Sequence, residues 1–295
     1  MGAPSDRITA ADFVTPPELA GWKLAARDAG RIGGVRLELC AGPSGTWFAA
    51  CYQQVPLRVL PPFHFGADKP TLVYLLNPTA GLLDGDAQLV RLAAEARTRT
   101  VVTGQSATRI HPALNAFSTQ QWHIEVAEGA ILVVLPGPAI PFQGCRYYQR
   151  VRIELEEGAH LVWGDLWFAG RYARGQESER FRFQMIVQDM TVRRAGQLVF
   201  RDRFCWRGPW NESTAAWHFG IGPACGTLFA TGKIEPDDGA ARFTTAAGDT
   251  CIRWCGESET VIEGLVKSAF RASAMHNARA WLAPNDLAPN HWFSV

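Results

Sequence analysis

The chain has 295 residues, 47% of them hydrophobic, which is enough for a well-buried core in one or two domains. Its 29 basic and 28 acidic side chains nearly cancel, so it lacks the basic excess by which proteins hold nucleic acid phosphates. No apolar run nears the roughly 18 residues that span a bilayer.

The N-terminus, Met1 to Arg7, has no apolar stretch of the secretory type. With Pro4, Pro16 and Pro17, residues 1–20 are expected to form a loose extension. No long linker follows, so residues 21–295 are expected to form a single domain. From about Gly33 to Phe204 the texture is strand, turn, strand. Apolar and polar residues alternate in Trp122-His123-Ile124-Glu125-Val126, Val151-Arg152-Ile153-Glu154-Leu155 and Phe181-Arg182-Phe183-Gln184-Met185. That is the period of half-buried β structure. An internal echo joins two of these strands to their successors. Glu128-Gly129-Ala130-Ile131-Leu132-Val133 recurs as Glu157-Gly158-Ala159-His160-Leu161-Val162, with a weaker relative at Glu95-Ala96-Arg97-Thr98. Each glycine falls where a tight turn needs positive φ. Repeated turn-plus-strand units point to stacked coils, a β-helical layer, and are also compatible with a sandwich whose hairpins share turn chemistry. In the tail, Val261, Ile262, Leu265, Val266, Ala269 and Phe270 recur at helical spacing behind the start signal Ser258-Glu259. A further helical turn is expected at Ala278–Leu282. The expected fold is therefore mainly β, of stacked-coil type, with a few C-terminal helices.

Catalytic signatures are missing. There is no G-x-S-x-G elbow, no H-E-x-x-H and no Walker A loop. Gly220-Ile221-Gly222-Pro223 reads as a plain turn, because Pro223 removes an N–H that a phosphate cradle needs. The seven cysteines are an odd number without a CxxC pair and read as reduced thiols of a cytoplasmic protein. Cys251 and Cys255, if extended, share a face about 13 Å apart, too far to share an ion. The seven histidines are scattered. Asp84 and Asp86 flank Gly85 and read as a polar turn. Asp165 is different. It sits inside Leu161-Val162-Trp163-Gly164-Asp165-Leu166-Trp167-Phe168, where a carboxylate needs a partner, water or a cation to offset its desolvation. Asp202, between Arg201 and Arg203, reads as an ion pair. Trp206, Trp210 and Trp217 are candidate partner-binding aromatics, with core packing as the other reading.

Four blocks in order carry a resemblance. Asn77-Pro78-x-x-Gly81-Leu82-x-x-Gly85-Asp86 resembles the N-P-x-G-G-L-V-G-G-D block of the UreD (UreH) family of urease accessory proteins. Thr103-Gly104-Gln105-Ser106-Ala107-Thr108-Arg109 is similar to its T-T-Q-A-A-T-K block, Gly129–Pro136 to its G-A-x-L-E-W-L-P, and Gly170-Arg171-Tyr172-Ala173-Arg174-Gly175-Gln176 to its G-R-x-A-R-G-E. The likeness runs from Gly21-Trp22 to at least Phe204. Departures include Ala80 and Asp84 for glycines, Val133-Val134 for Glu-Trp, Arg109 for lysine and Gln176 for glutamate.

The resemblance implies a non-catalytic cytoplasmic scaffold that helps deliver nickel to apo-urease. Its implied partners are UreF, UreG reached through UreF, and apo-urease, with no nucleic acid and no membrane. Ni²⁺ would pass transiently, with no tightly bound cofactor, along a tunnel whose acidic and hydroxyl positions map onto Asp86, Thr108, Asp165 and Asp202. A carbohydrate-active enzyme using Asp84 and Asp86 with a metal, and a pure interaction scaffold, are the alternatives.

Overall fold

The computed structural model describes residues 7–22, 24, 31–66, 69–172, 179–235 and 240–275. Two β-sheets pack face to face. The first has seven strands, in the order β14 (Gln197–Arg207), β13 (Met185–Arg194), β11 (Arg146–Leu155), β8 (Ser118–Val126), β5 (Ala87–Ala94), β1 (Ile32–Gly42) and β2 (Gly45–Gln54). The second runs β16 (Ala241–Thr244), β17 (Thr250–Gly256), β15 (Ala224–Ala230), β12 (His160–Phe168), β9 (Ile131–Leu135), β6 (Arg99–Gly104), β4 (Thr71–Leu76) and β3 (Arg58–Val59). The short strands β7 (Thr108–Ile110) and β10 (Pro138–Pro141) join it off this path.

The fold is mainly β, as the alternating pattern requires. Both sheets are mixed. Their centres are parallel, β1-β5-β8-β11-β13 in one and β4-β6-β9-β12 in the other, and their edges are antiparallel. The chain alternates between the sheets through short turns. Those at Gly129 and Gly158 have φ of +69° and +72°. In the third such turn Arg97 takes the same left-handed conformation, φ +65°. Its place is fixed by register, since Arg99 and His160 both pair with Ile131.

The inner faces form one apolar cluster, with Val90, Leu92, Trp122, Ile124 and Val151 from the first sheet meeting Val73, Val102, Leu132, Leu161 and Trp163 from the second. Helix α2 (Ser258–Met275) covers the outer face of the second sheet through Val261, Ile262, Leu265, Val266 and Ala269, the stripe read from the sequence. It approaches closely because Gly164 and Gly226 lie beneath: a Cβ on Gly164 would come within 3.1 Å of Leu265 Cδ2, and one on Gly226 within 3.0 Å of Val261 Cγ1. The turn expected at Ala278–Leu282 lies outside the described residues. Among the described residues no helix is long and apolar enough to cross a membrane.

The N-terminal extension departs from expectation. From Ile8 to Leu19 it is held down, with both those side chains fully buried. The Gln54 amide accepts from Ile8 N (2.9 Å) and donates to Ile8 O (3.0 Å), and Gln121 does the same for Val14 at 3.2 and 2.8 Å. Prolines suggested looseness, but two side-chain amides supply the hydrogen bonds that a strand would otherwise give.

Candidate functional site

A polar row crosses the interior between the sheets. Gln88, Gln120, Gln149 and Gln188 stand directly opposite one another on β5, β8, β11 and β13. All four are buried. They share the inner face with Val90, Trp122, Val151 and Met190, because side chains two apart on a strand point the same way. On the facing sheet the register sets Asp165 of β12 opposite Thr227 of β15, and Thr227 opposite Arg253 of β17. Apolar clusters lie on both sides, one around Trp122 and Trp163, the other around Tyr147, Trp167, Ile186 and Phe219.

Asp165, 5% exposed, is the buried carboxyl of this row. Its carboxylate accepts three side-chain hydrogen bonds, from Gln149 Nε2 (2.9 Å), Trp163 Nε1 (2.6 Å) and Gln188 Nε2 (3.1 Å). Gln188 is itself fixed by Trp167 Nε1, which donates to its Oε1 at 3.1 Å. Burial pushes the carboxyl up to about 6; the donors from Trp163, Gln149 and Gln188 oppose that shift, and the nearby Asp202 charge adds to it. Donors without a cation leave a carboxylate that is solvated by the protein yet not neutralised.

Gln120 and Gln88 form the other end of the row. Gln120 Nε2 donates to Gln88 Oε1 at 3.1 Å, and Trp122 Nε1 donates to Gln120 Oε1 at 3.0 Å. Gln88 Nε2 is buried without a partner. Here the interior opens into a cavity of about 50 Å³, lined by Gln88, Gln120, Trp122, Gly104, Thr108 and Arg109, with Asn77 and Gly81 also in the wall. A polar space of that size takes water. Trp122 lines it, Trp163 bonds Asp165, and the two rings meet edge to face with centroids 5.3 Å apart. The interior is thus packed, with a polar seam and a small chamber rather than an open bore.

The motif residues read from the sequence divide between this chamber and its supports. Asn77, Gly81, Thr108 and Arg109 line it. Gly81 has φ +131°, and a Cβ there would lie 2.3 Å from Arg109 O. That close approach, fixed by Leu82 N donating to Arg109 O (2.8 Å), joins the Asn77 and Thr108 blocks in space. Pro78 is exposed beside them, and Gly85 turns the chain at φ +85°. Gly170 also has positive φ, +136°, and Arg171 pairs with Glu179 while lying 4.9 Å over the Phe142 ring. Gly175 lies outside the described residues.

Asp86 is buried but stands off the row. It accepts from Leu83 N at 2.8 Å, and burial raises its pKa against that bond. Asp84 is more than a polar turn residue. Its two oxygens accept the backbone N–H groups of Leu114, Asn115 and Ala116, each at 3.0 Å, anchoring a distant loop. Both carboxylates are committed to backbone, so they do not form the open acidic pair that an enzyme would need. Asp202 is ion-paired, though with Arg253 at 2.7 Å and not with its neighbours in sequence. Arg201 and Arg203 turn instead to Asp189 and Glu18. The Arg253–Asp202 pair lies at the β17 end of the row and is partly exposed.

The three tryptophans part company. Trp206 is buried in an aromatic cluster with Phe204, Trp167 and Phe219, so it serves the core. Trp210 is half-buried and stacks on His218, with centroids 4.6 Å apart. Trp217 is 85% exposed on helix α1 (Glu212–Phe219), near the fully exposed Ile221. Among the described residues no three of His, Cys, Asp and Glu gather as a metal site.

The chain is similar to known proteins along most of its length. The sequence profile of the UreD urease accessory protein family matches residues 31–287. Urease accessory protein UreD of Deinococcus radiodurans is 30% identical over 236 residues, 79% of this chain and 78% of that protein. UreD 2 of Streptomyces griseus is 29% identical over 173 residues, 58% of each chain. UreD 2 of Synechococcus is 35% identical over 141 residues, so that match spans about half of each chain, 48% and 49%. These are accessory proteins of urease rather than enzymes in their own right. The chain belongs to the UreD urease accessory protein family.

Proposed function

We propose that this protein is a non-catalytic chaperone of urease maturation whose interior polar row conveys nickel toward apo-urease. The observation that carries the reading is Asp165, a buried carboxylate held by three neutral donors with no cation of its own. Ni²⁺ is cargo in this reading, not a resident cofactor. Imidazole and thiolate hold divalent nickel tightly. A conduit must admit the ion and release it, so weak oxygen donors suit it better. The glutamine amides, Thr108, Thr227 and Asp165 offer oxygens to an ion that keeps most of its water. The chamber at Thr108 and Arg109 supports an opening at one end, and the Arg253–Asp202 pair supports one at the other. Asp86 acts as a support for the first opening, because its oxygen is tied to the Leu83 turn.

The alternation of successive strands between two parallel-centred sheets supports reading the middle of the molecule as stacked coils, capped by antiparallel strands. It also supports treating residues 21–295 as one UreD-like domain. The partners on this reading are UreF, UreG through UreF, and apo-urease, met in the cytoplasm, with no nucleic acid or membrane involved. The exposed Trp217 is the aromatic best placed to meet a partner; Trp210 is half-buried and stacked on His218.

The test is co-purification with UreF, UreG and apo-urease, followed by nickel-dependent activation. Asp165→Asn preserves the shape of the row while removing its charge. It should keep UreF binding and lower activation. Full activation by a normally assembled variant would leave a pure scaffold as the better account.

A further inference from the structure

Cys225 and Cys255 stand directly opposite each other on the antiparallel strands β15 and β17. The hydrogen-bond phase of the ladder can be fixed from its flank. Ala169 N donates to Pro223 O at 2.7 Å, and Thr231 N donates to Leu161 O at 2.9 Å. Odd-numbered residues of β15 therefore spend their backbone groups on β12, where Cys225 faces Trp167. Toward β17 the pair Cys225–Cys255 is then a non-hydrogen-bonded one. In such pairs the Cα atoms lie about 4.5 Å apart and the side chains lean together on one face. That separation falls within the range of about 4.4–6.8 Å that a disulfide spans. Both thiols are free. Cys255 is exposed, while Cys225 is half-buried against the aromatic cluster of Trp206 and Phe219. The remaining cysteines offer a built-in comparison: Cys51 is also exposed, but faces Leu37 across its ladder.

We propose that Cys225 and Cys255 are an oxidisable dithiol that closes to a cross-strand disulfide by exchange with a low-molecular-weight disulfide such as oxidised glutathione. Cys255 Sγ, as thiolate, attacks one sulfur of glutathione disulfide and expels the first glutathione thiolate. Cys225 Sγ then attacks the Cys255 sulfur of the mixed disulfide and expels the second. The protein loses two protons and two electrons, and glutathione disulfide is reduced to two thiols. Burial raises both protein thiols, and the charge of Arg253, two residues from Cys255 on β17, pulls each back down. The cross-link would staple β15 to β17 beside Arg253, and its formation does not depend on the nickel reading.

The experiment is a titration of the full-length native protein in glutathione redox buffers, followed by alkylation and mass spectrometry of intact chain and peptides. The expected result is one cross-linked peptide joining residues 225 and 255, two hydrogen atoms lighter than its two reduced parts together, with neither cysteine alkylated. Cys51 should carry glutathione instead. Cys225→Ser should arrest the reaction at a stable glutathione adduct on Cys255, whereas Cys251→Ala should still form the cross-link. The oxidised form should melt at a higher temperature than the reduced one. Persistent glutathionylation of Cys255 in the unmutated protein, or cross-linking that survives Cys225→Ser, would overturn the assignment.

Discussion

Asp165 concentrates the physical tension of the molecule in one side chain. Its folded pKa, about 6, lies above the ordinary carboxylate value of 3.8. A raised carboxylate pKa means that the folded state holds its proton more firmly than the unfolded state does. Stability from this group is therefore highest below about pH 4 and falls as pH rises toward 6. The full cost of the buried charge, on the order of 3 kcal/mol, is present above pH 6. Asp165→Asn should remove this slope: urea unfolding at intervals across that range should show a flatter stability curve than the unmutated protein. A curve of unchanged slope would mean that Asp165 keeps an ordinary pKa. Away from the seam, Asp84→Ala would leave three loop N–H groups without their acceptor. It should destabilise by about 1–3 kcal/mol, read from the same unfolding experiment. Asp165 was legible in the sequence because aromatic and aliphatic neighbours on both sides leave no solvent for a carboxylate. Asp84 was not. Its partners lie some thirty residues on, and nothing local distinguishes it from a turn residue.

At the level of elements, the turns tell most clearly how the sequence directs the chain. Gly129 and Gly158 stand at positive φ with little or nothing around the missing Cβ, so a substitution there meets backbone strain rather than collision. Gly129→Ala should cost about 1–2 kcal/mol by chemical denaturation. Arg97, already in that conformation with a side chain, should respond in the opposite sense. Arg97→Gly should be neutral or stabilising by up to about 1 kcal/mol, the strain relieved being set against glycine's extra entropy. The glutamine row escaped sequence reading for a different reason. Its members belong to four strands separated by crossings of unequal length to the other sheet, so no fixed period brings them into line. Each one, taken alone, is an ordinary polar residue beside an apolar neighbour. Helix α1 was missed as well. Its Asn211 cap, accepting from Thr214 N at 2.9 Å, is a readable start signal. But only Ala215 and Phe219 are buried, too few to draw an apolar stripe. Helix α2, with its stripe repeated over about three turns, was readable.

For the whole molecule, two packed sheets leave little room for anything to move through unless side chains give way. The polar seam supplies the path of least resistance, because displaced amides can hydrogen-bond to water or to the hydration shell of an ion, while the apolar clusters beside it cannot. On the proposed reading, the outer surface then has a separate task, that of assembling partners. Trp217 is exposed on α1, and Ile221 just past that helix is also bare. Trp217→Ala should leave stability within about 0.5 kcal/mol of the unmutated protein and weaken capture of UreF in a pull-down. The most direct test of the central claim joins both tasks. Apo-urease assembled with UreF, UreG and this protein is supplied with nickel, and urease activity is followed with either Asp165 or Asp165→Asn in the chain. With complex recovery equal, activation should fall roughly tenfold or more in the variant. Equal activation rates from equally assembled complexes would contradict the claim that nickel travels along the buried row.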